Sequence, residues 1–256
     1  MTAFTWIRYA ADYDVARLTL ARRPLNILTI PMMQEIAAAL ALAADQTSLK
    51  VLVVDGEGKA FCAGVAVEDH ATDRVKPMLE AFHDIFRRLR QLPCATVAAV
   101  RGVALGGGAE LATFCDVVVA AEEATYGQPE IKVGVFPPIA ALHYPRRIGV
   151  ARTIALLLSG EVLAAAEAQR LGLVDRVVAA AALDDAVEAQ VARFRAHSAA
   201  VLRLTKRVVM ESLETPFEQA LPLLEDIYRY ELMTTADASE GLRAFVEKRK
   251  PVWRDR

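Results

Sequence analysis

The sequence is poor in the residues that staple a fold, ligate a metal or bind nucleic acid. Its three cysteines, Cys62, Cys94 and Cys115, are odd in number, widely spaced and without a CxxC, which excludes a disulfide framework and a cysteine-based zinc site. Of the four histidines, His83 and His197 fall on helical stretches with no spaced partner, so no metal is expected. Lysine and arginine (30) do not outnumber aspartate and glutamate (32), and the basic excess of a nucleic-acid binder is missing. No apolar run reaches the roughly 18 residues that suggest a membrane span. The start, Met1-Thr2-Ala3-Phe4-Thr5, lacks a charged segment followed by an apolar block, so the expected location is cytoplasmic. What is abundant is apolar: 54% of the 256 residues are hydrophobic and only 24% charged. That composition is too apolar for disorder and richer than the surface of a monomer requires.

Patterning divides the chain. Trp6 to Tyr9 and Val15 to Leu20 predict a hairpin about Asp12 and Asp14. A helix follows from Pro31, with Met32, Met33, Ile36, Leu40 and Ala43 at helical spacing. Leu49 to Val54, Thr96 to Val100 and Cys115 to Ala121 read as buried strands, and Val75 to Leu92 as a helix stopped by Pro93. From Pro138 onward strands all but vanish. Helices are predicted over 152–159, 164–171, 183–196, 199–213, 216–233 and 236–248. Strand-strand-helix units recur in the first half, and a doubly wound nucleotide-binding sheet competes at this level.

The segment Val103-Ala104-Leu105-Gly106-Gly107-Gly108-Ala109-Glu110-Leu111-Ala112 follows a strand and opens a helix. It fits neither GxGxxG nor GxxxxGK[ST], so both nucleotide readings fail on spacing. Three glycines either admit a ligand to the unpaired amides of a helix N-terminus or allow two backbones to cross tightly. A second loop of small residues, Lys59-Ala60-Phe61-Cys62-Ala63-Gly64-Val65, follows another strand. Two such loops can present two amides to one oxygen, the geometry that stabilises an acyl group acquiring enolate character. Glu110 falls in the first turn of the glycine-led helix, and Glu130 in the turn Tyr126-Gly127-Gln128-Pro129-Glu130-Ile131 before the apolar stretch from Val133 to Ala141. Either glutamate alone reads as a helix-terminus or solvated charge. Two beside one apolar pocket would have raised, coupled pKa values suited to moving a proton on and off water.

With those residues in view, Ala98-Ala99-Val100-Arg101-Gly102-Val103-Ala104-Leu105-Gly106-Gly107-Gly108-Ala109-Glu110-Leu111-Ala112-Thr113-Phe114-Cys115-Asp116 closely resembles the signature of the enoyl-CoA hydratase (crotonase) family. Phe61 to Val65, Gly127-Gln128-Pro129-Glu130 and Gly241 to Arg249 match it in the right order and spacing, so the resemblance spans essentially the whole chain. It implies an α/β fold, a crotonase-like spiral of ββα units with a C-terminal helical region for trimerisation. On that scheme residues 1–195 form the core with the acyl-CoA site and 196–256 the oligomerisation region. A homotrimer is implied, commonly stacked in pairs as a hexamer.

The same resemblance places the oxyanion hole on the backbone amides of Val65 and Gly107 and the two catalytic glutamates on Glu110 and Glu130. Coenzyme A would arrive as part of the substrate, with no tightly bound cofactor. Its adenine would rest near Ala63, Val65 and Val67, with Arg22 a candidate for the phosphates. The retained glutamate pair favours addition or removal of water. Where straight-chain hydratases carry Pro-Gly-x-Gly-Gly-Thr, this chain has Phe136-Pro137-Pro138-Ile139-Ala140-Ala141. Pro138 thereby lacks an amide that would orient Glu130 or its water, and the acyl pocket wall is bulkier.

Pro24-Leu25-Asn26, Thr29 to Met33, Gly64 to His70 and Gly134 to Pro138 resemble the branch of cyclohexa-1,5-diene-1-carbonyl-CoA hydratases in anaerobic benzoyl-CoA degradation. A short-chain enoyl-CoA hydratase or isomerase is the alternative. A non-catalytic oligomeric or RNA-binding member of the fold is disfavoured by the balanced charge and the glutamate pair. Weaker signals attach to several other residues. Glu68, Asp69 and His70 read as a solvated turn or helix start, with a contact from His70 to coenzyme A as the sharper alternative. His143 reads as a packed histidine or a pocket residue, and Tyr126 as core or pocket. Cys62 and Cys115 read as small core residues, and Lys248, Arg249 and Lys250 as phosphate contacts or solvated charges.

Overall fold

A computed structural model describes residues 4–255. Strands β1 (Ile7–Asp12) and β2 (Val15–Leu20) form the expected antiparallel hairpin, closed at Tyr13, whose φ is 37°. Ala16, Leu18 and Leu20 turn inward, leaving Val15, Arg17 and Thr19 less covered, the period of a half-buried strand. Helix α1 (Ile30–Asp45) carries Pro31 in its first turn and buries Met32, Met33, Ile36, Leu40 and Ala43. Strand β3 (Val51–Gly56) then runs parallel to β2.

From there a unit repeats three times. A long strand joins the main sheet, a short strand joins a second sheet, and a helix returns. The members are β3, β4 (Ala60–Cys62) and α2 (Val75–Gln91); then β5 (Ala95–Val100), β6 (Val103–Leu105) and α3 (Gly107–Phe114). The third set is β7 (Val117–Ala121), β8 (Thr125–Gly127) and α4 (Pro138–Ile148). The short second strands escaped the sequence reading because three residues show no periodicity. The expected ββα spiral is what the structure contains.

The rest of the chain is helical apart from two three-residue strands. In order come α5 (Val150–Ser159), β9 (Val162–Ala164), α6 (Ala165–Leu171), β10 (Arg176–Val178), α7 (Leu183–Arg195), α8 (Ala199–Ser212), α9 (Phe217–Asp226) and α10 (Ala236–Val246). The main sheet is ordered β1-β2-β3-β5-β7-β10 and the small one β4-β6-β8-β9. The helix expected over 216–233 stays helical but widens after α9 into a π turn at Ile227–Glu231 and a 3-10 turn at Leu232–Thr234.

The central strands read as unbroken apolar runs because both sheet faces are covered. Leu52 and Val54 face the large core with α1 and α2, whereas Val51, Val53, Val97 and Val119 face Leu183, Val187 and Val191 of α7. Helix α8 is pinned to the sheet by a charge: Lys206 Nζ donates to Asp116 Oδ2 at 2.7 Å and to Cys94 O at 2.9 Å. The same Oδ2 accepts the Thr96 amide and hydroxyl at 2.7 and 2.9 Å. Lys206→Met should cost about 1–3 kcal/mol, read as a lower thermal midpoint. An unchanged midpoint would show that the pin adds nothing.

Candidate functional site

Two loops meet at the open end of the small sheet. The first leaves β4 and is stitched to the chain ahead of α1. The Leu28 amide donates to Gly64 O at 2.9 Å, the Ala66 amide to Leu28 O at 2.8 Å and the Ala63 amide to Leu25 O at 2.9 Å. Asp69, expected in a solvated turn, is instead buried; its Oδ2 accepts the Ile30 amide at 3.1 Å and its Oδ1 pairs with Arg74 at 2.6 Å. Thr29 provides no side-chain cap for α1, so Asp69 supplies one from across the loop.

The second loop leaves β6, which pairs in parallel with β4, and turns at Gly106 (φ 52°) into α3. A Cβ on Gly64 would lie 3.2 Å from Leu105 O and 4.0 Å from the Gly107 nitrogen, so the loops touch where both expected amides lie. Among the described residues the hydrogen bonds of these loops use the amides of Leu28, Ala63, Gly64, Ala66, Gly106 and Glu110 and leave those of Val65 and Gly107 unused.

The glycine run contains the tight crossing and also makes room for a carboxylate. A Cβ on Gly108 would sit 2.2 Å from Cys62 O, so this residue is a tight crossing of α3 over β4. A Cβ on Gly106 would instead sit 2.6 Å from Glu130 Oε1, so that residue is where the second carboxylate rests.

Glu110 and Glu130 come together there. Glu110 is 2% exposed, and its Oε1 accepts the Ala140 amide at 2.7 Å. Ala140 is the third residue of α4, and the residue ahead of that helix is Pro137, which provides no side-chain cap; the Glu110 carboxylate takes that place. The donated bond and the helix terminus favour the charged form, but burial outweighs them, and with the neighbouring Glu130 charge it pushes the Glu110 carboxyl up to about 8. Burial raises Glu130 as well. Such a pair holds one proton more readily than none near neutral pH.

The segment after Glu130 differs from expectation. The sequence predicts a bulky pocket wall in the apolar stretch from Val133 to Ala141, with Pro138 lacking an amide for Glu130 or its water. Pro138 is the first residue of α4, and the Ala140 amide of that helix serves Glu110. Much of the stretch faces outward; Phe136 is 72% exposed.

The remaining candidates scatter. Ala63 is half-buried and Val67 exposed at the start of a 3-10 turn after the first loop. Arg22 donates to Ile27 O at 3.2 Å and lies over the Trp6 ring. His70 sits 3.0 Å from Ala66 O. His143 is a packed histidine: its Nε2 lies 3.0 Å from Thr113 O, its ring is against Phe114, and burial pushes it down to about 4. Tyr126 belongs to the core. Cys62 and Cys115 are buried, with thiols pushed up to about 12 by that burial, which makes them inert. Arg249, offered as a phosphate contact, is committed to Glu240 and Glu247.

Two residues have no assigned role from the sequence, Gln128 inside a matching segment and Tyr144 outside any; both are buried, lie beside the carboxylates and touch one another. Among the described residues no group of histidine, cysteine and carboxylate side chains is placed to hold a metal, and no helix is long and apolar enough to cross a membrane.

The sequence profile of a family described as enoyl-CoA hydratase/isomerase matches residues 11–256. A cyclohexa-1,5-dienecarbonyl-CoA hydratase of Thauera aromatica is 36% identical over 249 residues, covering 96% of this chain and 95% of that protein. A probable enoyl-CoA hydratase of Mycobacterium tuberculosis is 37% identical over 243 residues, covering 94% of each. The crystal structure of an enoyl-CoA hydratase from Mycobacterium smegmatis superposes with a TM-score of 0.92 at 31% identity, covering 97% of this chain and 99% of that one.

Proposed function

The chain belongs to the enoyl-CoA hydratase/isomerase family, and from that premise we propose that it is a hydro-lyase adding water to a conjugated acyl-CoA thioester. The observation that carries this reading is the convergence of a buried carboxylate, Glu110, and a half-buried one, Glu130, on the glycine turn beside two unused amides. In the proposed complex the thioester oxygen sits between the amides of Val65 and Gly107, which stabilise the enolate formed as water adds. Glu110 and Glu130 hold that water between them. One accepts a proton as the oxygen bonds to the electrophilic carbon, and the other gives a proton to the carbon made nucleophilic by the enolate. The pair begins and ends with one proton. Coenzyme A enters as part of the substrate, past Ala63 and Val67, with Arg22 near its phosphates.

We infer further that the acyl group is a cyclic diene, the substrate after which the Thauera relative is named. Water then adds across the two ends of the diene and yields a 6-hydroxycyclohex-1-ene acyl product. The resemblance over Gly64 to His70 and Gly134 to Pro138 supports this choice. Hydration rates on crotonyl-, cyclohex-1-ene- and cyclohexa-1,5-diene-carbonyl-CoA test it. The expected order puts the diene first by at least about tenfold in kcat/KM, a difference of roughly 1.4 kcal/mol in transition-state binding. A preference for crotonyl-CoA overturns the cyclic reading and leaves a short-chain hydratase; double-bond migration without water uptake points to an isomerase.

Self-association is part of the same proposal. Large apolar side chains stand outward along residues 217–252, Phe245 at 84% exposure and Phe217, Val246 and Val252 nearly as much. Contacts with further copies, as a trimer or paired trimers, would cover them.

A further inference from the structure

Helix α4 reaches both carboxylates at once. At its N-terminus the Ala140 amide holds Glu110 Oε1 at 2.7 Å. One turn later, on the same face, Tyr144 is buried with its hydroxyl 2.7 Å from the Gln128 amide group. Turned with its oxygen toward the tyrosine, the Gln128 amide accepts from Tyr144 Oη at 2.7 Å, and its Nε2 donates to both Glu130 oxygens, each at 3.2 Å. Turned the other way, an amide oxygen would face carboxylate oxygens, so the first orientation is the one the surroundings favour. Tyr144 Oη also lies 3.4 Å from Thr113 Oγ1, on α3 just beyond Glu110.

Resting on the hydratase reading above, we propose that Tyr144 is a positioning residue. Through Gln128 it fixes the orientation of Glu130, so that α4 acts as one bracket setting both carboxylates of the pair. The chain of bonds runs from Tyr144 O–H to the Gln128 oxygen and from the Gln128 N–H groups to the Glu130 carboxylate. A phenol in this place does two things. It anchors the oxygen end of the Gln128 amide, while the Glu130 oxygens decide that the N–H end turns toward them. It also makes that amide a better donor to the charged form of Glu130. The titratable groups facing Glu130 are Glu110 from α3 and Tyr144 from α4, whose phenol burial pushes upward. Helix α5 also packs against the turn bearing Glu130; its one charged residue is Arg152, and Gly160, which follows the helix, meets Ile131 and Lys132.

Tyr144→Phe keeps the ring and removes the hydroxyl. The expected result is a fall of roughly tenfold in kcat with KM nearly unchanged, and a shift of the acid limb of the rate profile to higher pH, because Glu130 loses support for its charged form. Gln128→Leu should move kcat and the acid limb in the same directions and further. In the double variant the Tyr144 change should add nothing more, since the path to Glu130 is already cut. An unmoved acid limb in Tyr144→Phe overturns the proposal, whether or not kcat falls, since general loosening lowers kcat without moving that limb. Fully additive effects in the double variant overturn it as well. Should Tyr144→Phe fold poorly, Gln128→Leu read for the same limb decides. The hydratase reading fails separately: Glu110→Gln and Glu130→Gln variants at near-parental rates sink that reading, whereas inactive glutamate variants beside a parental Tyr144→Phe profile sink only the bracket.

Discussion

Glu110→Gln should lower hydration turnover by roughly 10²–10⁴-fold, the usual worth of a positioned proton donor or acceptor, while the melting temperature rises. The two effects share one cause. The parent carboxyl lies in a site that pushes it up to about 8 from an ordinary 4.5. The folded state therefore holds a proton that the unfolded chain has released, and stability falls as pH rises from about 4.5 through about 8. Glutamine is neutral throughout. It keeps an oxygen for the Ala140 amide. The variant should equal the parent near pH 4 and exceed it by up to roughly 3 kcal/mol at pH 7. Acyl-CoA binding should change little, since the proposed thioester contacts are backbone amides. Thermal melts at three pH values and a single-turnover assay check both halves. Near-parental turnover would remove Glu110 from the proposed chemistry, and a melting difference independent of pH would show that its burial does not matter.

Gly108→Ala is expected to cost about 3 kcal/mol or more. The position is helical, and there alanine is ordinarily better than glycine by about 1 kcal/mol, so the propensity effect runs the other way. The loss comes from contact. The added carbon would lie 2.2 Å from Cys62 O and 2.7 Å from Cys62 Cβ, backbone and near-backbone atoms that cannot swing aside. Relief requires α3 to withdraw from β4, which parts the loop bearing Val65 from the helix bearing Gly107. Loss of stability should therefore come with loss of turnover. Denaturant unfolding and an activity assay read the two, and a parental midpoint would show that the crossing is looser than drawn.

Much of this was legible in the sequence, for reasons that differ by residue. The central strands announced themselves because two covered faces leave no polar position in Val-Leu-Val-Val. The glycine run was visible, but its division was not: which glycine crosses a strand and which meets a carboxylate depends on what lies opposite. Asp69 looked like a solvated charge since the amide it caps belongs to residue 30, thirty-nine positions away. The donor to Glu110 could not be found by residue type at all, because it is the backbone of Ala140. Gln128 and Tyr144 became meaningful only once α4 laid them together. In place of that helix the sequence showed an apolar stretch with two prolines.

The stitching between residues 25–30 and 63–69 bears on affinity. Four hydrogen bonds cross that seam, from Leu28, Ala63, Ala66 and Ile30, and they flank the Val65 amide on both sides. Ordering a backbone residue costs on the order of 1–2 kcal/mol. Here that entropy is lost when the chain folds, before any thioester is met. A carbonyl oxygen arriving at this amide would find a direction already set, and its binding would not be weakened by the need to arrest a moving loop.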